Sequence, residues 1–413
     1  MRDDNFIQQL FADRIGGEQF GQSTILYKFE KFKQAKKLAI TNNPGVELID
    51  LGVGEPDWMA DPEVVESLCR EARSRENRGY TDNGLQAFKD AAVRYMQSVY
   101  QVAGLDPEKE INHGIGSKSI LAMLPLAFIN PGDITLMTVP GYPVIGTMTK
   151  AVQGEVINLP LVEENNFLPD LDSLSSEQCR KAKLLYINYP NNPTGATATR
   201  EFYRKVVHFA RKHNIIVVAD AAYAALTFGP EKPLSFLSVD GAKEVGVEIH
   251  SLSKAYNMTG WRLAFICGNA LVVKALAAVK DNQDSGQFAA IQKAGIYCLE
   301  HPEITVRTAA KYSRRHDMLV DVLTGIGFSV KKPGASFYLY ARIPQGTKNG
   351  YVFRSAEQFS EYLIEKKLIA TVPWDDAGSY VRFSVTFEAG DEAAEQQVMA
   401  EVKKRLSELD LLF

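Results

Sequence analysis

Cysteine is scarce in this chain, and what there is lies scattered. Cys69, Cys179, Cys267 and Cys298 form no C-x-x-C pair. That excludes a disulfide framework, which needs dense paired cysteines, and a cysteine zinc site, which needs close spacing. The pattern predicts reduced, mostly buried thiols in a cytoplasmic protein. The 6 histidines are scattered too, with no H-E-x-x-H and no Cys/His cluster, so no metal is expected. An excess of one charge is also missing. A net charge of −4 gives no general attraction to nucleic acid or to an anionic membrane. No run approaches the ~18 uninterrupted apolar residues of a membrane-spanning helix. The opening "MRDDNFIQQLFADRIGG" has acids in its first residues and no long apolar run, unlike a signal peptide.

What is present is an ordinary globular composition, 46% hydrophobic and 23% charged, in 413 residues. That length suggests two domains, or a large domain with a smaller one appended. Residues 1 to about 45 read as helical. "ILYKFEKFKQAKKLA" spaces apolar residues at helical intervals on a basic background. It suits an amphipathic helix packed on the body, or an arm embracing a partner subunit. From "ELIDLGVGEPDW" onward, short apolar runs alternate with helical stretches. "LLYINY" and "IIVVAD" are nearly all apolar, as strands covered on both faces should be. The alternation predicts an α/β domain with a mainly parallel sheet. After about residue 283 comes a long helical stretch (roughly 286–325), then "GFSVKK", "ASFYLYARI", a helix near 355–366, "LIATVP", "YVRFSVTF" and a charged final helix. This reads as a smaller α+β domain. The expected division is an arm with part of the small domain over 1–50, a large domain over 51–283, and a small domain over 284–413.

Ligands of parallel sheets gather beyond the carboxyl ends of the strands. Five such ends supply polar or aromatic groups. They are Gly116-Ser117-Lys118, Gly141-Tyr142, Asn191-Asn192-Pro193, Asp220 with Tyr223, and Ser251-Ser253-Lys254.

Lys254 is either a solvated charge or, screened from water, an amine that attacks aldehydes. Asp220 is either a helix cap or a carboxylate holding a heterocyclic nitrogen protonated. Tyr223, about one turn on, can direct its hydroxyl to the same place. "YPNNPTG" has turn composition, but it directly follows a buried strand, where Asn192 can offer an amide donor to a phenolate oxygen. "GIGSKS" opens a helix, and N–H groups with serine hydroxyls at a helix start bind anions. Neither G-x-x-x-x-G-K-[ST] nor G-x-G-x-x-G is present, so a nucleotide triphosphatase and a dinucleotide-binding dehydrogenase lack support, while a smaller phosphate remains open. Arg382, in the alternating "SYVRFSVTF", is either a structural ion-pair partner or a planar fork for a carboxylate.

Together, "YPNNPTG", "DAAY", "SLSKAYNMTGWR" and "YVRFS", in that order, resemble the fold-type I, pyridoxal-phosphate-dependent aminotransferases of classes I and II over nearly the whole chain. The resemblance implies the fold type I transferase architecture, a mainly parallel mixed sheet in the large domain beside a smaller α+β domain. It implies pyridoxal 5′-phosphate as cofactor. Lys254 would hold it as a Schiff base and shuttle the proton at the substrate Cα. Asp220 would keep the pyridine nitrogen protonated. Asn192 and Tyr223 would bond the ring's 3′ oxygen, and Tyr142 would stack on the ring. Ser117, Lys118 through its backbone, Ser251, Ser253 and Arg262 would cup the phosphate, and Arg382 would clamp the substrate carboxylate. Tyr80, in "RGYTDNG", matches a tyrosine reaching the neighbouring subunit's phosphate, which implies a homodimer with shared sites.

Within the family the chain is most similar to the branch acting on LL-diaminopimelate. There Tyr27 matches a tyrosine that reaches the substrate, and Gly54 a glycine whose backbone faces it. Two departures stand out. Better-known members place an asparagine near "QDSGQF", where this chain has Gly286 and Gln287, and read "GAK" where it has "GSK". The resemblance thus implies amino transfer to 2-oxoglutarate, with LL-diaminopimelate as the expected donor. The alternatives are a broader aspartate, alanine or aromatic specificity, or a carbon–sulfur β-lyase on the same scaffold. A regulator with an added DNA-binding module is disfavoured, because the N-terminal segment shows no helix-turn-helix pattern.

Overall fold

The computed structural model of the chain describes residues 6–21, 28–229 and 233–413, with residues 28–32 described by backbone alone. Three short 3-10 turns (Phe6–Leu10, Asp13–Ile15, Gly17–Gln19) precede the helix Lys28–Asn42. That helix packs against the helix Ala356–Lys367. Its Ala39 is buried with Ile364 and Ala370, and its Lys36 pairs with Asp50 at 2.6 Å. The helix Lys28–Asn42 therefore rests on the body of the protein.

After the short β1 (Ile49–Asp50), the central strands are β2 (Ile111–Gly114), β3 (Ile134–Val139), β4 (Glu155–Pro160), β5 (Ala182–Asn188), β6 (Ile216–Asp220), β7 (Gly246–Ser251) and β8 (Ala264–Gly268). They form a seven-stranded sheet in the order β2-β8-β7-β6-β5-β3-β4. β8 alone runs against its neighbours β2 and β7, and the remaining pairs are parallel. The near-continuous apolar runs have a simple cause. Leu185, Ile187, Val217 and Ala219 face the helices Gln86–Tyr100 and Arg200–His213. Leu184, Tyr186 and Val218 face the helices Ser117–Phe128 and Ala270–Lys280 on the other side. With both faces covered, period-2 alternation has no solvent side to mark.

The C-terminal part carries β9 (Tyr338–Arg342), β10 (Gly346–Thr347), β11 (Ile369–Ala370), β12 (Val372–Trp374), β13 (Tyr380–Ser384) and β14 (Leu411–Leu412). β12, β13 and β9 make an antiparallel three-stranded sheet. β11 pairs in parallel with β1, and β10 pairs with β14. "GFSVKK" forms no strand of either sheet. The long helical stretch is two helices, Ala289–Glu300 and Glu303–Ile326, because Pro302 cannot continue a helix and pushes His301 out of helical geometry. The first packs on the helices Pro62–Ala72 and Gln86–Tyr100, the second on Glu392–Ser407. Among the described residues no helix is long and apolar enough to cross a membrane.

Candidate active site

Lys254 lies in the single helical turn Leu252–Ala255 directly after β7. The Ser251 hydroxyl starts the turn by accepting the Ser253 N–H at 3.2 Å. This capping throws the lysine off the strand end, towards the segment that follows β1. Its Nζ donates to the Gly54 carbonyl at 2.7 Å. No carboxylate pairs with it among the described residues. Burial pulls the ammonium down to about 8, against the attraction of Glu55 and helped by the repulsion of Arg262 and Arg382. An amine so poised is neutral in a useful fraction near physiological pH.

Asp220 closes β6 and is 4% exposed. Burial pushes its carboxyl up to about 6, opposed by the Tyr186 hydroxyl and the Ala222 N–H, which donate to it at 3.0 and 3.2 Å, and by His250. Tyr142 stands nearby. Burial raises its phenol, Asp220 adds to this and Arg262 opposes it. The tyrosine is thus within electrostatic reach of both the acid and the arginine.

Arg262 sits in the left-handed region at φ 57 and donates through Nη1 to Ser253 Oγ at 3.3 Å and to the Thr259 carbonyl at 2.7 Å. It too has no carboxylate partner among the described residues. Its guanidinium fills the space beside Gly116, where φ is +75 and an added Cβ would run into it. Gly116 starts the helix Ser117–Phe128 without a side-chain cap, so the N–H groups of Ser117 and Lys118 have no acceptor among the described residues. The side chain of Lys118 is exposed, and only its backbone belongs to this cup. The arginine, the serine hydroxyls and the free helix N–H groups together form an anion cradle.

Arg382 lies mid-strand in β13, opposite Tyr340 of β9 and Val372 of β12, and is 7% exposed. It finds no carboxylate, so its alternative reading as a structural ion-pair member has no partner among the described residues. Instead Nη1 donates to Asn192 Oδ1 at 2.9 Å and Nη2 to the Gly52 carbonyl at 3.0 Å, while Nε is buried without a partner. A buried guanidinium so incompletely satisfied has hydrogens with which it can receive a carboxylate. Asn192 is itself held by its N–H on Asn188 Oδ1 at 2.9 Å. Tyr223 is buried, and its hydroxyl meets that of Tyr338 at 3.2 Å.

Tyr186, Tyr338 and the anchoring of the Gly54 segment have no clear signal in the sequence. Tyr186 and Tyr338 look like core aromatics in apolar strands. The segment Gly52–Trp58 gives carbonyls to Arg382 and Lys254, then is anchored through Asp57. That carboxylate pairs with Lys311 at 2.7 Å and Arg315 at 3.1 Å, and Arg315 with Glu395 at 2.8 Å, all four side chains being at most 2% exposed. Breaking one member of such a network costs about 3–5 kcal/mol, so the segment is firmly placed.

Not every expected residue joins this constellation. Tyr80 is 87% exposed. Its neighbour Thr81 is tied to the 285–287 segment, donating to the Gln287 carbonyl at 2.6 Å. Tyr27 lies outside the described residues. The rest of the set is contributed by the strand ends of the large sheet (Lys254, Asp220, Tyr223, Ser117, the Lys118 backbone, Tyr142, Asn192, Ser251, Ser253 and Arg262), by the segment after β1 (Gly54) and by the middle of β13 (Arg382). The chemistry on offer is an amine for an aldehyde, a buried acid for a ring nitrogen, a cradle for a phosphate and a fork for a carboxylate.

The sequence model for "Aminotransferase class I and II" matches residues 46–401. An LL-diaminopimelate aminotransferase of Methanococcus maripaludis is 58% identical, covering 99% of this chain and 100% of its own length. One from Methanocaldococcus jannaschii is 58% identical over the same shares. Among solved structures, substrate-bound BacF from Bacillus subtilis superposes with a TM-score of 0.87 at 32% identity, covering 98% of each chain. The mixed, mostly parallel sheet and the relatives agree, and the chain belongs to the class I and II aminotransferase family.

Proposed function

We propose that the chain is a pyridoxal 5′-phosphate-dependent aminotransferase that moves an amino group between LL-diaminopimelate and 2-oxoglutarate, the tetrahydrodipicolinate step of lysine biosynthesis. One observation supports the chemistry above others: a lysine with its ammonium pulled down to about 8 stands among two arginines that have no carboxylate of their own. Identity of 58% over 99% of the chain to relatives named for LL-diaminopimelate supports the substrate.

Bound here, the cofactor supplies an aldehyde for the amino group and a ring that accepts the electrons of the Cα–H bond. Lys254 holds it covalently and then carries the proton at the substrate Cα. Asp220 keeps the ring nitrogen protonated, and its burial makes that charged hydrogen bond strong. Asn192, whose amide oxygen is already given to Arg382, would offer its nitrogen to the ring's 3′ oxygen, as would Tyr223 its hydroxyl. Tyr142 covers the ring face. Ser117, the Lys118 N–H, Ser251, Ser253 and Arg262 hold the phosphate, with Tyr80 from the neighbouring subunit of a homodimer. Arg382 binds the α-carboxylate common to both substrates, while Gly54 faces the rest of the substrate and Tyr27 is assigned to it by the resemblance alone. The four thiols are all free, and we place the protein in the cytoplasm.

The test is a donor panel with 2-oxoglutarate as acceptor. Glutamate should form with LL-diaminopimelate and only slowly with aspartate, alanine or phenylalanine. Comparable rates with all of these would replace the narrow specificity by a broad one. Pyruvate released from cystathionine without transfer would replace the transferase by a lyase.

A further inference from the structure

Tyr338 touches three parts of the site at once. Its hydroxyl lies 3.2 Å from that of Tyr223. Its ring lies 4.0 Å from the guanidinium carbon of Arg382. A Cβ on Gly54 would stand 3.0 Å from its hydroxyl and 3.7 Å from Arg382 Nη2, so the wall carrying Gly54 closes directly over it. The side chain is 1% exposed, and β9 fixes it opposite Ser384.

We propose that Tyr338 is a positioning residue joining the cofactor side of the site to the carboxylate side: its hydroxyl donates to Tyr223, and its ring holds the Arg382 fork flat. This rests on the reading of the site given above. Two phenols in contact share one hydrogen and leave the other to be placed. Tyr338 makes no second hydrogen bond among the described residues. Were Tyr223 the donor, the Tyr338 hydrogen would be buried and unused, which is costly. With Tyr338 as donor, the free hydrogen is that of Tyr223, which has the cofactor's ring oxygen to receive it. A hydroxyl that accepts one hydrogen bond is also a stronger donor in the next. The charged and titratable groups facing this pair are Asp220, Arg382 and Tyr186 for Tyr223, with Tyr142 beside Tyr338.

On the other side, Arg382 is held at its edge by Asn192 and Gly52 and on its face by the Tyr338 ring. Edge and face together fix the guanidinium plane, which two-point binding of a carboxylate requires.

Tyr338→Phe removes the hydroxyl and keeps the ring, and Tyr338→Leu removes both. The readout is the pH titration of the bound cofactor's absorbance, with KM for both substrates. A donor on the ring oxygen withdraws electron density and lowers the basicity of the neighbouring nitrogen that Lys254 supplies. Weakening Tyr223 should therefore raise the titration midpoint, by roughly half a unit in Tyr338→Phe and by more in Tyr223→Phe. The double variant should match Tyr223→Phe alone, since Tyr338 then has nothing to act through. KM should change little in Tyr338→Phe and rise about tenfold for both substrates in Tyr338→Leu. A Tyr338→Phe midpoint equal to wild type overturns the proposal, as does a full extra shift in the double variant. A wild-type protein with no pH-dependent cofactor band instead removes the underlying reading of the site, and this proposal with it.

Discussion

Arg382 gives a hydrogen to Asn192, Nη1 to Oδ1 at 2.9 Å, and so spends the oxygen of that amide on the carboxylate side of the site. The nitrogen of the same amide is left for the cofactor side. Arg382 has two further nitrogens to offer, of which Nε has no partner and Nη2 is held by Gly52. Lysine in its place keeps the charge and loses the fork. Arg382→Lys should lower kcat/KM for both the amino donor and 2-oxoglutarate by about 10- to 100-fold, the worth of a charged hydrogen bond. Cofactor absorbance should persist. Unchanged kcat/KM for both substrates would remove Arg382 from carboxylate binding.

Only a neutral amine attacks an aldehyde. With the Lys254 ammonium down to about 8, capture of added pyridoxal phosphate by apoprotein should speed up with pH and level off above 8. Below that the slope is about tenfold per pH unit. Lys254→Ala should show neither the covalent absorbance band nor trapping by borohydride. A wild-type rate still climbing at pH 10 would mean an ordinary solvated lysine.

Asp220 is costly to the empty protein. Its carboxyl moves from an ordinary 3.8 to about 6 on folding, so the ionised form is penalised in the folded state. Stability from this group is whole below pH 3.8, falls as pH rises between the two values, and is fully lost above about 6. Two units correspond to about 3 kcal/mol at most. Asp220→Asn apoprotein should therefore resist urea better than wild type at pH 8, by about 1–3 kcal/mol, and equal it near pH 3.5. The same substitution should cut kcat by orders of magnitude, because a neutral amide cannot hold the ring nitrogen protonated. Equal urea midpoints at pH 8 would show that the acid is not strained by burial.

The strand-end residues were legible in the sequence because each ends a continuous apolar run, a pattern that a sheet covered on both faces imposes. The motifs around Asn192, Asp220 and Lys254 then announce the site. What escaped was set by tertiary packing. Tyr338 alternates with Leu339 and Tyr340 in an unremarkable strand, and only the pairing of β9 with β13 brings it under Arg382. Asp57 reads as part of a turn in "GEPD", and its partners Lys311 and Arg315 are more than 250 residues away in the chain and carry no local mark. The helix break at Pro302 is legible in the sequence, since proline cannot continue a helix.

Tyr80 exposes its ring to solvent in the single chain, 87% exposed, while Thr81 beside it is pinned by a 2.6 Å bond to the Gln287 carbonyl. A firmly held loop presenting a bare tyrosine suits delivery to another subunit. If Tyr80 serves the neighbouring site, Tyr80→Ala and Lys254→Ala chains are each defective, but a dimer of one with the other holds one intact site. That site combines the lysine of the first chain with the tyrosine of the second. Random mixing makes about half of the dimers mixed, each with one working site of two, so activity should return to roughly a quarter of wild type, by the combinatorics of closed twofold assembly. The assay is run at a cofactor concentration that leaves Tyr80→Ala largely empty. Verified mixed dimers that stay inactive would place Tyr80 in its own chain's site or in none.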